Sequence, residues 1–108
     1  IKKTTMIELY EAEWEEKRQA DSNAVLLDVR TEEEFQDKHL PNAKLLDIRQ
    51  PNSFMAAAQD LDKDKTYFIY CRSGARSAQA CQLLDQLGVL ATYNLKGGIL
   101  DWTGEVNT

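Results

Sequence analysis

Residues 67–71, YFIYC, and residues 24–29, AVLLDV, are apolar runs without alternation between hydrophobic and polar positions. A strand with one wet face alternates with a period of two, so strands that read this way are buried on both faces. Such burial requires helices above and below the sheet, the habit of parallel strands joined by helical crossovers. The fold class is therefore α/β. The remaining segments agree. TMIEL (5–9) reads as a short strand, and EAEWEEKRQ (11–19) as a polar helix with Trp14 on its inner face. Thr31 and Glu34 form a T-x-x-E capping box that opens a helix through Lys38, with Phe35 facing inward. HLPNA marks a turn, a short strand follows at about 43–48, and residues 51–60 read as a short helix. Between Ser73 and Leu87 the apolar positions Ala80, Leu83, Leu84 and Leu87 recur at helical spacing, with Gly88 as the C-cap. TYNL (92–95) is the last strand, and GGILDW supplies a glycine turn and a helical stub anchored by Trp102. The expected architecture is a mostly parallel central sheet of about five strands flanked by helices.

A chain of 108 residues is expected to form one domain, spanning 1–108. The net charge of −5 argues against nucleic acid or an anionic membrane as partner, since both attract a basic patch. No apolar run approaches the roughly 20 residues that span a bilayer, and no secretory leader is visible. A cytoplasmic monomer is expected. Cys71 and Cys81 stand ten residues apart on or beside one helix. That is about 15 Å, well beyond the limit of about 7 Å between disulfide-bonded Cα atoms. They read as separate thiols, which suits a reducing compartment.

In open α/β sheets ligands bind beyond the carboxyl ends of the strands. Two strands end in chemically rich segments, Asp28-Val29-Arg30 and Cys71-Arg72-Ser73-Gly74-Ala75-Arg76. The second carries the stronger signal. A cysteine where a strand ends and a helix begins faces unpaired helix N–H groups, which favour negative charge. Gly74 lets successive N–H groups turn into one concavity, and Arg72 and Arg76 add positive charge nearby. These features predict a Cys71 thiol more acidic than the unperturbed value of about 8.5. Cys81, with Ala78 and Leu84 as helical neighbours, reads as packing.

Several chemistries use a cradled thiolate. A thioredoxin-type site needs C-x-x-C, but position 74 is glycine. A Walker A loop is absent. Cysteine phosphatases space their loop as C-x5-R, whereas Cys71 to Arg76 is C-x4-R. The shorter ring suits a smaller anion than a phosphate ester.

The strings LLDVRTEEEF, HLPNA, YFIYCRSGARSAQACQLLDQLG and YNLKGGILDW stand in the order and spacing of a single-domain rhodanese. The resemblance covers nearly all of residues 24–102, and YCRSGARS is its most specific part. It implies a rhodanese-like fold and a sulfurtransferase of the thiosulfate:acceptor class, working through a Cys71 persulfide without cofactor or metal. A small-molecule donor such as thiosulfate, or a partner protein persulfide, would charge Cys71. A thiol or cyanide would then take the sulfur. It further implies that the loop Arg72, Ser73, Gly74, Ala75, Arg76 and Ser77 holds the persulfide. Arg72 would attract an anionic donor and Arg76 would brace the loop. Asp28 would accept hydrogen bonds near that loop, and Arg30 would pair with Glu33 or Glu34, both in supporting roles. HLPNA departs from the family's HIPGA, but Asn42 tolerates a left-handed turn. The acidic TEEEF, if it overhangs the pocket, would repel thiosulfate and favour a protein persulfide. Two alternatives stand beside this reading: a non-catalytic rhodanese-like binding module, and a thiolate phosphatase or arsenate reductase on the same fold.

Other suggestive residues read as structural. His39, the only histidine, sits in a turn, and chemistry that starts from a thiolate needs no base. Asp60, Asp62 and Asp64 imitate a calcium loop, but Lys65 and Cys71 occupy the positions that need glycine and glutamate.

Overall fold

The computed structural model describes residues 6–108. Five strands run in the order β1 (Met6–Leu9), β2 (Ala24–Asp28), β3 (Lys44–Leu45), β4 (Thr66–Tyr70) and β5 (Ala91–Leu95). Four helices, α1 (Glu11–Ala20), α2 (Glu32–Asp37), α3 (Pro51–Gln59) and α4 (Ala75–Gln86), alternate with them. A 3-10 turn, Ile99–Asp101, follows β5. The strands form one parallel sheet in the order β1-β5-β4-β2-β3. Position 5 of the expected first strand lies outside the described residues.

The two apolar runs are buried as their lack of alternation requires. Every residue of β4 is buried, and its side chains divide between two cores. Tyr67, Ile69 and Cys71 pack with Phe54 and Ala58 of α3 and Ala80 and Leu84 of α4. Phe68 and Tyr70 pack on the opposite face with Trp14, Leu26 and Leu95. Trp14 is fully buried, edge-on to Phe68 and Trp102, and its indole N–H reaches the Tyr93 carbonyl at 3.1 Å. Its hydrogen bond is satisfied in place, as burial of an indole demands.

Three local expectations change. The strand expected over 43–48 is regular only over Lys44–Leu45; Leu46 and Ile48 still donate to the Asp28 and Val29 carbonyls, and the chain turns at Asp47, whose side chain accepts the Arg49 N–H. The helix expected from Ser73 begins at Ala75, because Ser73 and Gly74 are used in the preceding loop. Phe35 is only half-buried and stacks on His39 with ring centres 3.8 Å apart. At the other end of α4, the Gly88 and Val89 N–H groups bond the Asp85 and Leu84 carbonyls, the expected C-terminal cap. Asn42 is left-handed, with φ of 70°.

The segment after β5 completes the carboxyl edge of the sheet. Ile99 and Leu100 donate their N–H groups to the Cys71 and Arg72 carbonyls, each at 3.0 Å. This contact is so close that a Cβ on Gly98 would lie 2.3 Å from the Arg72 carbonyl oxygen. Gly98 also adopts φ of 61° and ψ of −164°, a region essentially restricted to glycine. Gly98→Ala should therefore destabilise the fold by roughly 3 kcal/mol, read as a lower denaturation midpoint in urea. A loss below about 1 kcal/mol would contradict this account of the contact.

Candidate active site

Cys71 follows the last residue of β4 and precedes a tight loop into α4. Its side chain is only 1 % exposed. Gly74, at φ of 110°, is the N-cap of α4, a backbone conformation that L side chains rarely adopt. That conformation turns the Gly74 N–H onto the Cys71 sulfur at 3.1 Å, and the Ser77 hydroxyl lies 3.4 Å from the same atom. Burial pushes the Cys71 thiol up, but the Ser77 hydroxyl and the Ser77, Gly74 and Ser73 backbone N–H groups outweigh it, and the thiol is more acidic than usual. The direction agrees with expectation. The principal donors are hydroxyl and backbone groups, whereas the sequence had pointed equally to two arginines.

The arginines divide. Arg72 is exposed at the mouth of the loop and has no carboxylate partner among the described residues. Arg76 is turned away, held by Glu34 of α2 through two hydrogen bonds of 2.8 and 3.0 Å. Glu34 thereby straps α2 to the start of α4, while its Oε1 also accepts from the Thr31 N–H in the capping box. Ser73 and Ala75 are exposed on the loop surface and Ser77 is fully buried.

Arg30 does not have its expected partner. Arg30 pairs with Asp28 at 2.7 Å, not with Glu33 or Glu34, and donates to the Lys38 carbonyl at 2.7 Å. The cause is local: the Asp28 carboxylate accepts the Arg30 N–H two residues on, folding the guanidinium back over it. Glu34 is meanwhile committed to Arg76. Asp28 accepts from Arg30 and from the hydroxyl of Tyr70, the residue before Cys71. Burial and the neighbouring Asp28 hold Tyr70 far above the usual phenol value, so it remains a donor. It in turn accepts the Leu40 N–H at 3.0 Å. This buried cluster ties β2, β4 and the turn before β3 together behind the site.

The acidic segment contributes Glu34 to a groove beside the loop. This groove, of about 250 Å³, is lined by Arg72, Lys38, Leu100, Glu34 and Asp37, among others. Glu34 is neutralised by Arg76, and Glu32 faces another depression beside Leu45 and Asp47, where it accepts from Gln36. His39 has its Nδ1 against the Phe35 carbonyl at 2.9 Å, and its backbone pairs with Asn107. Asp62 shapes a turn by accepting the Asp64 N–H and the Tyr67 hydroxyl. Cys81 is fully buried and, with few donors against that burial, is pushed up to about 12. Both cysteines are free thiols.

Asn94 and Gly98 escaped sequence reasoning. Asn94 is 1 % exposed and accepts the Ser77 hydroxyl. An amide inside a strand was a usable signal, because asparagine is depleted from strands. Gly98 was read only as part of a turn, since nothing local says that the Arg72 carbonyl lies against it.

The Arg76–Glu34 strap has a pH signature. Hydrogen bonds from Arg76, opposed by burial and helped by Thr31, hold the Glu34 carboxyl down to about 2 from an ordinary 4.5. A depressed carboxyl stabilises the fold fully above about 4.5 and loses that contribution as pH falls through about 2. The side chains are 18 % and 26 % exposed, so screening trims the effect to about 1–2 kcal/mol. Glu34→Gln should lose that much in urea denaturation at neutral pH, with the gap to the parent closing as pH falls from about 4.5 towards 2. A gap independent of pH would reject the ion pair as its source.

Comparison with known proteins places these features in a family. The family model for the rhodanese-like domain matches residues 11–105. A sulfurtransferase of Allochromatium vinosum is 40 % identical over 98 residues, covering 90 % of this chain and 89 % of that protein. The crystal structure of a rhodanese-like domain protein from Staphylococcus aureus superposes with a TM-score of 0.75 at 28 % identity, covering 91 % of this chain and 92 % of that one. A rhodanese from E. coli, solved with anions, gives a TM-score of 0.64 at 27 % identity over 78 % of this chain and 96 % of that one. With a five-stranded parallel sheet flanked by helices and a family match over most of its length, the chain belongs to the rhodanese-like domain family.

Proposed function

We propose that this protein is a sulfurtransferase that carries sulfur as a Cys71 persulfide. One observation supports the reading above the rest: a buried cysteine sulfur receives the Gly74 N–H and lies beside the Ser77 hydroxyl, with more N–H groups behind them. Such a cradle stabilises a thiolate without a general base. The 40 % identical A. vinosum protein is named a sulfurtransferase, and the E. coli rhodanese was solved with anions. The first name supports sulfur transfer, and the second is in keeping with a fold that binds anions.

The reaction is a double displacement. The Cys71 thiolate attacks the outer sulfur of a donor. A sulfur–sulfur bond forms at Cys71, the donor's own bond to that sulfur breaks, and the donor leaves with the electron pair. For thiosulfate the leaving group is sulfite; for a protein persulfide it is a thiolate. The charge now rests on the outer sulfur, within reach of the N–H groups of residues 72–76. An acceptor thiolate or cyanide then attacks that sulfur, and Cys71 leaves as the thiolate again. No net oxidant or reductant is needed. Arg72, exposed and free of a carboxylate, favours an anionic donor at the mouth. With Glu34 paired to Arg76 and Arg30 paired to Asp28, Asp37 in the groove is set against Lys38 and Arg72, a balance that favours an anionic donor where an acidic rim would repel it. Small anionic donors and protein persulfides are both admitted.

The arrangement of Arg76 weighs against phosphoryl chemistry. A thiolate phosphatase needs its loop arginine free to grip two phosphate oxygens. Here both guanidinium arms are held by Glu34.

Intact-protein mass after incubation with thiosulfate, or with a protein persulfide donor, should rise by one sulfur atom. Cyanide should reverse the gain, and Cys71→Ser should abolish it although Cys81 remains. A phosphomonoester should not turn over. No gain from either donor class would overturn the proposal and leave a binding module as the better account.

A further inference from the structure

Ser77 and Asn94 form a buried pair behind the Cys71 sulfur, and their hydrogen bonds do not all fit at once. The Ser77 hydroxyl has three acceptors within reach: Asn94 Oδ1, the closest, the Gly74 carbonyl at 3.2 Å and the Cys71 sulfur at 3.4 Å. A hydroxyl carries one proton. The orientation of Asn94 decides which acceptor competes for it. Its Nδ2 lies 3.1 Å from the Gly74 carbonyl and 3.0 Å from a Glu8 carboxylate oxygen, both acceptors only. Turning the amide over would set its oxygen against those two oxygens. Oδ1 therefore faces Ser77, where it competes with the Cys71 sulfur for the hydroxyl proton. Ser77 and Asn94 are 0 % and 1 % exposed, so water does not relieve the competition.

We propose that Asn94 is a positioning residue whose Oδ1 competes with the Cys71 sulfur for the single proton of the Ser77 hydroxyl, and so sets how firmly the cradle holds the thiolate. The functional consequence rests on the persulfide reading. A thiolate held less firmly is a stronger nucleophile towards a donor, whereas one held more firmly leaves more readily when an acceptor takes the outer sulfur. A hydroxyl that can turn between Asn94 and Cys71 serves both halves of the cycle. The remaining charged groups reach Cys71 through their field and not by a direct hydrogen bond, Arg76 among them, and the Asn94 substitution leaves them in place. Arg76 is paired with Glu34, Arg72 lies exposed at the mouth, and Glu8 contacts the far side of Asn94.

The test is a titration of Cys71 followed by the carbon-13 shift of its Cβ in cysteine-labelled protein, which needs no sulfur donor. Failure of sulfur transfer and failure of this proposal are thus distinguishable. In Asn94→Leu the hydroxyl loses its nearest acceptor. A charged acceptor bonds more strongly than a neutral carbonyl, so the proton passes to the Cys71 thiolate rather than to Gly74. The Cys71 midpoint should move towards acid by roughly half to one pH unit. Asn94→Val, which suits a strand and carries no acceptor, should move it in the same direction and is read alone if the leucine variant does not fold. In a Ser77→Ala background the Asn94 substitution should leave the midpoint unmoved. An unchanged or more alkaline midpoint in the parent background, or an equal shift without the Ser77 hydroxyl, would overturn the assignment.

Discussion

The site depends on a contest at one sulfur atom. Burial favours the neutral thiol at Cys71, and hydrogen-bond donors favour the thiolate. A buried cysteine with too few donors goes the other way, and Cys81 on α4, where burial outweighs the Thr92 hydroxyl, is that case within the same molecule. Cys81 lies within the helix, where backbone N–H groups are already used by carbonyls of the preceding turn. Cys71 lies just ahead of that helix, where the first-turn N–H groups have no intrahelical partner. The chemical difference between the two thiols follows from their positions relative to one helix N-terminus.

Holding those donors on the sulfur takes contacts from all around the sheet edge. Gly74 supplies the left-handed residue that turns its own N–H inward. Gly98 lets the segment after β5 run against the Cys71 and Arg72 carbonyls. Glu34 anchors Arg76 from α2, and Asp28, Arg30 and Tyr70 fix the neighbouring strand ends. The loop is short, and neither of its two arginines is among the direct donors to the sulfur. One is spent on architecture and the other faces solvent. Positive charge lies exposed at the mouth, while neutral dipoles hold the sulfur.

Much of this was legible in the chain because it rests on local pattern. AVLLDV and YFIYC reported their two-sided burial through the absence of alternation, and the capping box at Thr31 reported a helix start. Cys71 stood out because strand end, glycine and helix start coincide within a few residues. What was not legible depends on residues brought together from distant positions. The Arg76–Glu34 pair joins positions 42 apart, and nothing in the sequence prevented Arg30 from being the partner. Asp28 captured Arg30 through a two-residue turn, a geometry that charge alone does not reveal. Asn94 reaches Ser77 only because β5 lies beside β4 in the sheet. The sheet order, not the local string, makes it a neighbour of the site.

The ultraviolet absorbance of the Cys71 thiolate, titrated against pH with Cys71→Ser as the reference, tests this account most directly. Subtracting the variant removes any signal from Cys81. If the loop donors outweigh burial, the half-titration point falls clearly below the value of about 8.5 for a free cysteine. A midpoint at or above that value would mean that burial wins. Cys71 would then be a packed thiol like Cys81, and the site would lose its nucleophile.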